Sequence, residues 1–153
     1  LFTGDISSNI RLRNTEITGP EIQEAARYVN ADAFISKLPR GYEEKVYERG
    51  ATLSAGQRQL LSFARTLVFH PAILILDEAT ANIDTETEEL IQDALKKLMK
   101  GHTTLVVAHR LSTIQHADKI IVMHKGRIQE AGNHQELLAK KGIYYQLYQL
   151  QYQ

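Results

Sequence analysis

The sequence predicts an α/β protein, with a mostly helical lobe over residues 1–70 followed by an α/β part with a parallel sheet over residues 71–153. Three observations predict it. Ile73–Leu76 and Thr103–Ala108 are apolar-rich runs of strand length, the pattern of strands covered on both faces. A segment of helical periodicity lies between them, and helical periodicity dominates the part before them. Serine, threonine or asparagine with a carboxylate or amide three residues on marks most of the helix starts.

The elements follow in order. Thr18-Gly-Pro-Glu21 is a capping box, and Ile22, Ala25, Ala26 and Val29 continue it as an apolar helical stripe. A short helical piece, Ala31–Leu38, stops at Pro39, and Arg40–Thr52 reads as loop. A helix is expected from about Ser54 to Phe69, with Leu60, Leu61, Ala64, Leu67 and Val68 on its buried face and Pro71 beyond its end. After the strand Ile73–Leu76, Thr85-x-x-Glu88 opens a helix to about Met99. Thr103–Ala108 is the next strand. Lys119–His124 and Arg127–Ala131 flank the turn Lys125-Gly126, and Asn133-x-x-Glu136 caps a further helix that Gly142 is expected to end. Tyr144, Tyr145, Tyr148 and Tyr152 form an aromatic stripe on the last helix, a spacing that packs a helix against its own domain.

Composition bounds the function. A chain of 153 residues, 43% hydrophobic and 24% charged, has the make-up of one globular domain. It can bury roughly 68–70% of its unfolded surface. Eighteen Lys and Arg balance eighteen Asp and Glu, which argues against a nucleic-acid binder that needs a basic excess. The absence of cysteine excludes disulfides, cysteine-based zinc sites and thiol catalysis. No run approaches the roughly 20 apolar residues of a spanning helix. The chain opens on Leu1 rather than Met, as expected of a segment cut from a longer protein.

The residues that carry chemistry fall at three places. Ile73–Glu78 is a buried run ending in two carboxylates, at the strand end where ligands sit in open α/β sheets. There Asp77 can hold a magnesium ion, directly or through water, and Glu78 can orient or deprotonate an attacking water. The same pair would equally serve to cap the next helix. Leu53-Ser-Ala-Gly-Gln57 opens a helix, whose N–H groups and dipole suit a terminal phosphate, although Ser54 is also an ordinary N-cap. His109 follows the second strand, where an imidazole can reach a γ-phosphate or the attacking water, or serve only as a loop residue. The remaining histidines, 70, 102, 116, 124 and 134, show no metal-ligand spacing and read as surface or packing residues.

Taken together and in this order, these segments resemble the nucleotide-binding domain of ABC transporters. LSAGQ at 53–57 is similar to the signature motif, with Ala55 in place of the commoner glycine. ILILDE at 73–78 is similar to Walker B, Ala81–Asp84 to the D-loop with Asn-Ile for Ala-Leu, and Ala108-His109-Arg110 to the H-switch. Tyr47-Glu48-Arg49-Gly50 resembles the X-loop of exporters, and Leu1–Leu12 resembles the segment after the Q-loop in multidrug-type exporters. The resemblance covers essentially the whole chain. No glycine is followed by lysine, so the GxxxxGK[ST] phosphate loop is absent from the sequence.

The resemblance implies a partial P-loop ATPase fold: the helical subdomain plus the C-terminal half of the core. It implies ATP and Mg2+ as ligands, Glu78 and His109 as catalytic residues, and Asp77 as the magnesium residue, through a water. Ser54, Ala55, Gly56 and Gln57 would contact in trans the nucleotide held by a second such domain, with Asp84 at that interface and Tyr47–Gly50 in subdomain coupling. The implied partners are that second domain and membrane-spanning domains, without nucleic acid. The implied location is the cytoplasmic side of the cell membrane within a membrane protein, the 153-residue chain itself being soluble. The implied function is an ATP-hydrolysing module of an exporter, the chain alone being inactive. The alternatives are a soluble ABC ATPase acting on nucleic acid or ribosomes and a degenerate, non-enzymatic partner. In the resembled sheet the phosphate-loop strand lies between the strands at 103–108 and 119–124, so a swapped, oligomeric or marginally stable arrangement is expected.

Overall fold

The computed structural model describes residues 1–47, 50–77, 85–108 and 111–152. The chain divides into two compact units, Leu1–Leu105 and Val106–Gln153. The described strands form three two-stranded sheets.

The first unit is organised by one helix. It contains β1 (Gly4–Asp5), α1 (Ile6–Arg11), α2 (Gly19–Tyr28), α3 (Asp32–Ile35) and a 3-10 turn at Gly41–Glu43. After these come β2 (Lys45–Val46), α4 (Ala55–Val68), β3 (Ile73–Asp77), α5 (Thr85–Met99) and the first residues of β4 (Thr103–Val107). Helix α4 packs against α1, α2 and α5. Its buried residues, Gly56, Leu60, Leu61, Phe63, Ala64 and Val68, recur at helical spacing. They face a core to which α1 gives Ile6 and Ile10, α2 gives Ile22, Ala25 and Ala26, and α5 gives Ile91, Ala94, Leu95 and Leu98, all buried. Full burial of each large aliphatic side chain contributes about 1.5–3 kcal/mol.

Polar contacts fix how these helices meet. At the start of α2, Glu21 accepts from the Thr18 N–H and hydroxyl, each at 2.7 Å. These two hydrogen bonds pull the Glu21 carboxyl below its usual pKa. At the other end, Asn30 sits at φ 63°. Its amide donates to Asp93 at 2.7 Å and to the Leu90 carbonyl at 3.1 Å, and accepts from Lys97 at 3.1 Å. The residue that ends α2 is thereby tied to α5.

The opening segment departs from expectation. The sequence predicts no helix before Thr18, yet α1 forms, with Asp5 accepting from the Ser8 N–H at 2.6 Å as its cap. Six residues are too few to show a period. Asn9, almost fully buried, grips the start of the chain. Its amide donates to the carbonyls of Phe2 (2.8 Å) and Asp5 (3.0 Å), and its oxygen accepts from the Phe2 N–H at 2.9 Å. From α4, Arg65 donates to the Asn9 carbonyl at 2.8 Å while its guanidinium lies 5.7 Å from the centre of the Phe2 ring. The predicted loop at 40–52 is likewise more ordered than expected. It holds the 3-10 turn and β2, which pairs antiparallel with β1 in the register Gly4↔Val46 and Asp5↔Lys45. The predicted piece at 31–38 is helical only over Asp32–Ile35.

Strands β3 and β4 are hydrogen-bonded neighbours, joined by α5 in a helical crossover, the connection that parallel neighbours require. The expectation of a strand covered on both faces is corrected: only one face of β3 is covered. Leu74 and Leu76 are buried, whereas Ile73 and Ile75 are 63% and 71% exposed, and Leu105 on β4 is 57% exposed. The continuous apolar run records two buried faces, but among the described residues only one has a covering layer.

The second unit holds α6 (Leu111–Ile114), the hairpin β5 (Ile120–His124) and β6 (Arg127–Gly132), α7 (His134–Lys140) and α8 (Ile143–Tyr152). Lys125 and Gly126 turn the hairpin with both φ angles positive (50° and 73°), as a two-residue type I′ turn requires. Pairing runs from Ile120↔Gly132 to His124↔Arg127 with an irregularity between Val122 and Met123. The core is Leu111, Ile120, Val122, Leu137 and Tyr144, flanked by Tyr148. Tyr144 and Tyr148 of the aromatic stripe therefore pack on their own unit, as expected, whereas the Tyr152 side chain lies outside the described residues. Of the two readings open to His134, surface or packing, the structure shows packing. Its Nδ1 lies 2.7 Å from the Tyr144 hydroxyl, and its ring meets those of Tyr144 and Tyr148. Asn133 and Glu136 form the expected capping box of α7.

Gly142 plays a different part from the predicted helix stop. The left-handed residue that ends α7 is Lys141, at φ 53°. Gly142 is small because the Glu130 carboxylate occupies the space a side chain would take. From there Glu130 accepts from the N–H groups of Ile143 (2.6 Å) and Tyr144 (3.1 Å), satisfying the first turn of α8.

The open face of β3 and β4 predicts self-association of the 153-residue chain. Sedimentation velocity over a concentration series is expected to show growing association. The double substitution Ile75→Thr and Leu105→Thr reduces it, without lowering the urea midpoint, because both side chains are already exposed.

Candidate functional site

The best-defined candidate site is the N-terminus of α4. Ser54 has extended backbone (φ −64°, ψ 163°) and Oγ accepts from the Gln57 N–H at 3.1 Å. The Gln57 side-chain oxygen in turn accepts from the Ser54 N–H at 3.0 Å. The two readings left open by the sequence are compatible. Ser54 is an N-cap, and accepting a bond through Oγ leaves its O–H hydrogen to donate outward. Of the first-turn amides, that of Gln57 is taken by Ser54, whereas those of Ala55 and Gly56 have no acceptor in the helix ladder. Ser54 and Ala55 are exposed, Gln57 is partly so, and Gly56 is buried. Unpaired N–H groups and a hydroxyl at the start of a fourteen-residue helix are groups able to hold an anion.

The turn entering this helix is built on glycine. Gly50 stands at φ +69°, its N–H donates to the Tyr47 carbonyl at 2.8 Å, and its own carbonyl accepts from the Leu53 N–H at 2.9 Å. Leu53 is buried beneath the helix start and Tyr47 is exposed. Arg58, which sequence reasoning passed over, reaches back across this turn. Its Nη1 donates to the carbonyl of Leu53 at 2.6 Å. The signal was present: four residues into the helix, where an apolar residue often staples the chain, the sequence has arginine.

Asp77 is the last residue of β3 and is exposed, a hard oxygen donor of the kind magnesium accepts alongside phosphates and water. That chemistry fits a magnesium residue. No group of three or more metal-capable side chains occurs among the described residues. Strand β4 ends at Val107, two residues before His109. Glu78, Asp84 and His109, and with them Glu48 and Arg49, lie outside the described residues.

Comparison with known proteins points in one direction. The sequence profile of the ABC transporter family matches residues 4–81. The chain is 58% identical over 151 residues to the probable multidrug resistance ABC transporter ATP-binding/permease protein YheH of Bacillus subtilis. The match covers 99% of this chain and 22% of that protein. It is 53% identical to a putative multidrug export ATP-binding/permease protein of Staphylococcus aureus, over 99% of this chain and 26% of that one. Among solved structures, a bacterial Atm1-family ABC exporter with ATP bound matches with a TM-score of 0.88 at 40% identity. That match covers 99% of this chain and 26% of the exporter chain. The chain thus spans about a quarter of the length of the relatives it matches. The TM-score supports a partial P-loop ABC ATPase fold. Among the described residues no helix is long and apolar enough to cross a membrane.

Ser54→Ala removes the cap and the outward hydroxyl together. It is expected to lower stability in urea unfolding by about 1 kcal/mol, and Ser54→Gly by only a few tenths.

Proposed function

Because this chain belongs to the ABC transporter family, we propose that it is part of the ATP-binding and ATP-hydrolysing module of an exporter. The observation that carries the reading is the capped, exposed N-terminus of α4, where Ser54, Ala55, Gly56 and Gln57 offer a hydroxyl and free amides to a phosphate. In this reading residues 1–70 form the helical signature lobe and residues 71–153 the second half of the catalytic core. The names of the relatives join an ATP-binding part to a permease and favour the exporter reading over a soluble ATPase acting on nucleic acid. The balanced charge of the chain favours it too.

Each proposed residue does one physical thing. Ser54 and the amides of Ala55 and Gly56 meet the γ-phosphate held by a second nucleotide-binding domain, where their partial positive charge opposes the charge of the transferring group. Gln57 keeps Ser54 in the capping geometry. Glu78 accepts the proton of the attacking water or orients it, and His109 contacts the γ-phosphate. Asp77 would hold magnesium through a water, and the ion, when bound, offsets phosphate charge. Asp84 lies at the interface between the two domains, and Tyr47–Gly50 couple this lobe to its neighbours. Because the site is completed only across two domains, hydrolysis depends on their closure, which moves the membrane-spanning domains between access states. The module works on the cytoplasmic side of the membrane as part of that assembly.

Two measurements test this. In the full transporter Glu78→Gln is expected to retain ATP binding while hydrolysis slows by roughly a hundredfold or more, within the general-base range. Near-normal turnover would remove Glu78 from the base role. The 153-residue chain alone is expected to show no ATPase activity above background, since its sequence holds no GxxxxGK[ST] phosphate loop. Robust magnesium-dependent turnover by the pure chain would overturn that reading.

A further inference from the structure

We infer that Arg58 is a positioning residue for the phosphate-facing end of α4, a role that rests on the function proposed above. The inference starts from a single peptide group, the one joining Leu53 to Ser54. Its carbonyl, on Leu53, accepts from Arg58 Nη1 at 2.6 Å. Its N–H, on Ser54, donates to Gln57 Oε1 at 3.0 Å. Two adjacent side chains of the first turn therefore hold the same peptide plane, one by each pole. The plane cannot rotate without breaking a hydrogen bond, and one of the two is charge-assisted. Ser54 Oγ hangs from the residue this plane leads into. Its direction is set before any phosphate arrives, which is how preorganised donors stabilise developing charge.

The guanidinium reaches this position because Gly50 makes room. A Cβ on Gly50 would lie 2.9 Å from Arg58 Cδ and 2.9 Å from Leu1 Cδ1, so that something must shift, and 3.2 Å from Arg58 Cγ. Gly50 also needs its left-handed φ of +69°, so two constraints point to glycine there. Nη1 lies 3.5 Å from the Gly50 carbonyl as well, spanning the turn. The arginine thus stands in for the apolar residue that usually staples a helix start. It fastens the turn through its stem and its charge together. At this end of α4 its charge has the same sign as the helix dipole.

The test uses the full transporter, with ATPase kinetics in Arg58→Met, Arg58→Lys and Gly50→Ala. Methionine keeps an apolar stem and loses the donors. It is expected to lower kcat about tenfold, the scale of one lost charge-assisted hydrogen bond read as a rate, with KM for ATP within about twofold. Lysine, which keeps a charged donor group on a single nitrogen, is expected to restore kcat to within about threefold of wild type. Gly50→Ala keeps the arginine in the sequence but crowds its stem and the Leu1 side chain at a strained φ, and is expected to lower kcat at least as far as Arg58→Met. Unchanged kcat in Arg58→Met, or a loss carried by KM alone, overturns the inference.

A second measurement does not depend on the enzyme at all. In the 153-residue chain, amide hydrogen exchange over residues 50–58 is expected to quicken at least threefold in Arg58→Met, with exchange in α5 unchanged. Equal exchange in the two proteins overturns the inference. A wild-type transporter without ATPase activity would refute the proposed function instead, and the exchange experiment then decides the positioning role alone.

Discussion

The packing of α4 is the constraint on which the first unit depends. Its apolar stripe, from Gly56 to Val68, meets α1, α2 and α5. No neighbour can shift far without opening a void against it, since well-packed interiors do not deform continuously. The same helix carries the candidate phosphate-facing residues at its first turn. The stiffness that holds the core together is therefore also what holds Ser54 and Gln57 in place. Arg65 and Asn9 extend the anchoring to the far half of α4, where an almost fully buried amide joins the start of the chain to the helix. A site on an exposed helix end borrows rigidity from the layer beneath it.

Helices announced by side-chain chemistry were legible in the sequence. Thr18 with Glu21, Ser54 with Gln57, and Asn133 with Glu136 all mark starts that the structure realises. Their pairing is local, within three residues, and so is the information. The hairpin at Lys125-Gly126 was readable for the same reason. What could not be read was non-local. The helix α1 and the strand pair β1–β2 depend on Asn9 and on partners more than thirty residues away. Gly142 looked like a helix stop because its other possible cause, a carboxylate twelve residues upstream, has no sequence signature.

The candidate site was legible as far as its motifs are contiguous. LSAGQ located the helix start, and the run Ile73–Asp77 located a strand ending in an exposed carboxylate. Arg58 gave only a weak signal, an arginine at the staple position, because its meaning lies in the turn it crosses rather than in any motif. The apolar run of β3 was informative in another sense. Ile73 and Ile75 are as apolar as Leu74 and Leu76, yet they stand open in this unit. The composition of the strand records a covering layer that the described residues do not supply.

The tight bend between β5 and β6 has a practical consequence. Lys125 and Gly126 are both exposed, and the register on either side is fixed by the pairing of the strands and by the Ile120 and Val122 contacts beneath them. Extra residues introduced at that tip would lengthen a surface loop. They would leave the strand ladder intact, at an entropic cost of about 0.6 kcal/mol per doubling of loop length. The bend is thus a natural place to graft an epitope or a fluorescent reporter onto the second unit, far in sequence from the helix start at Ser54.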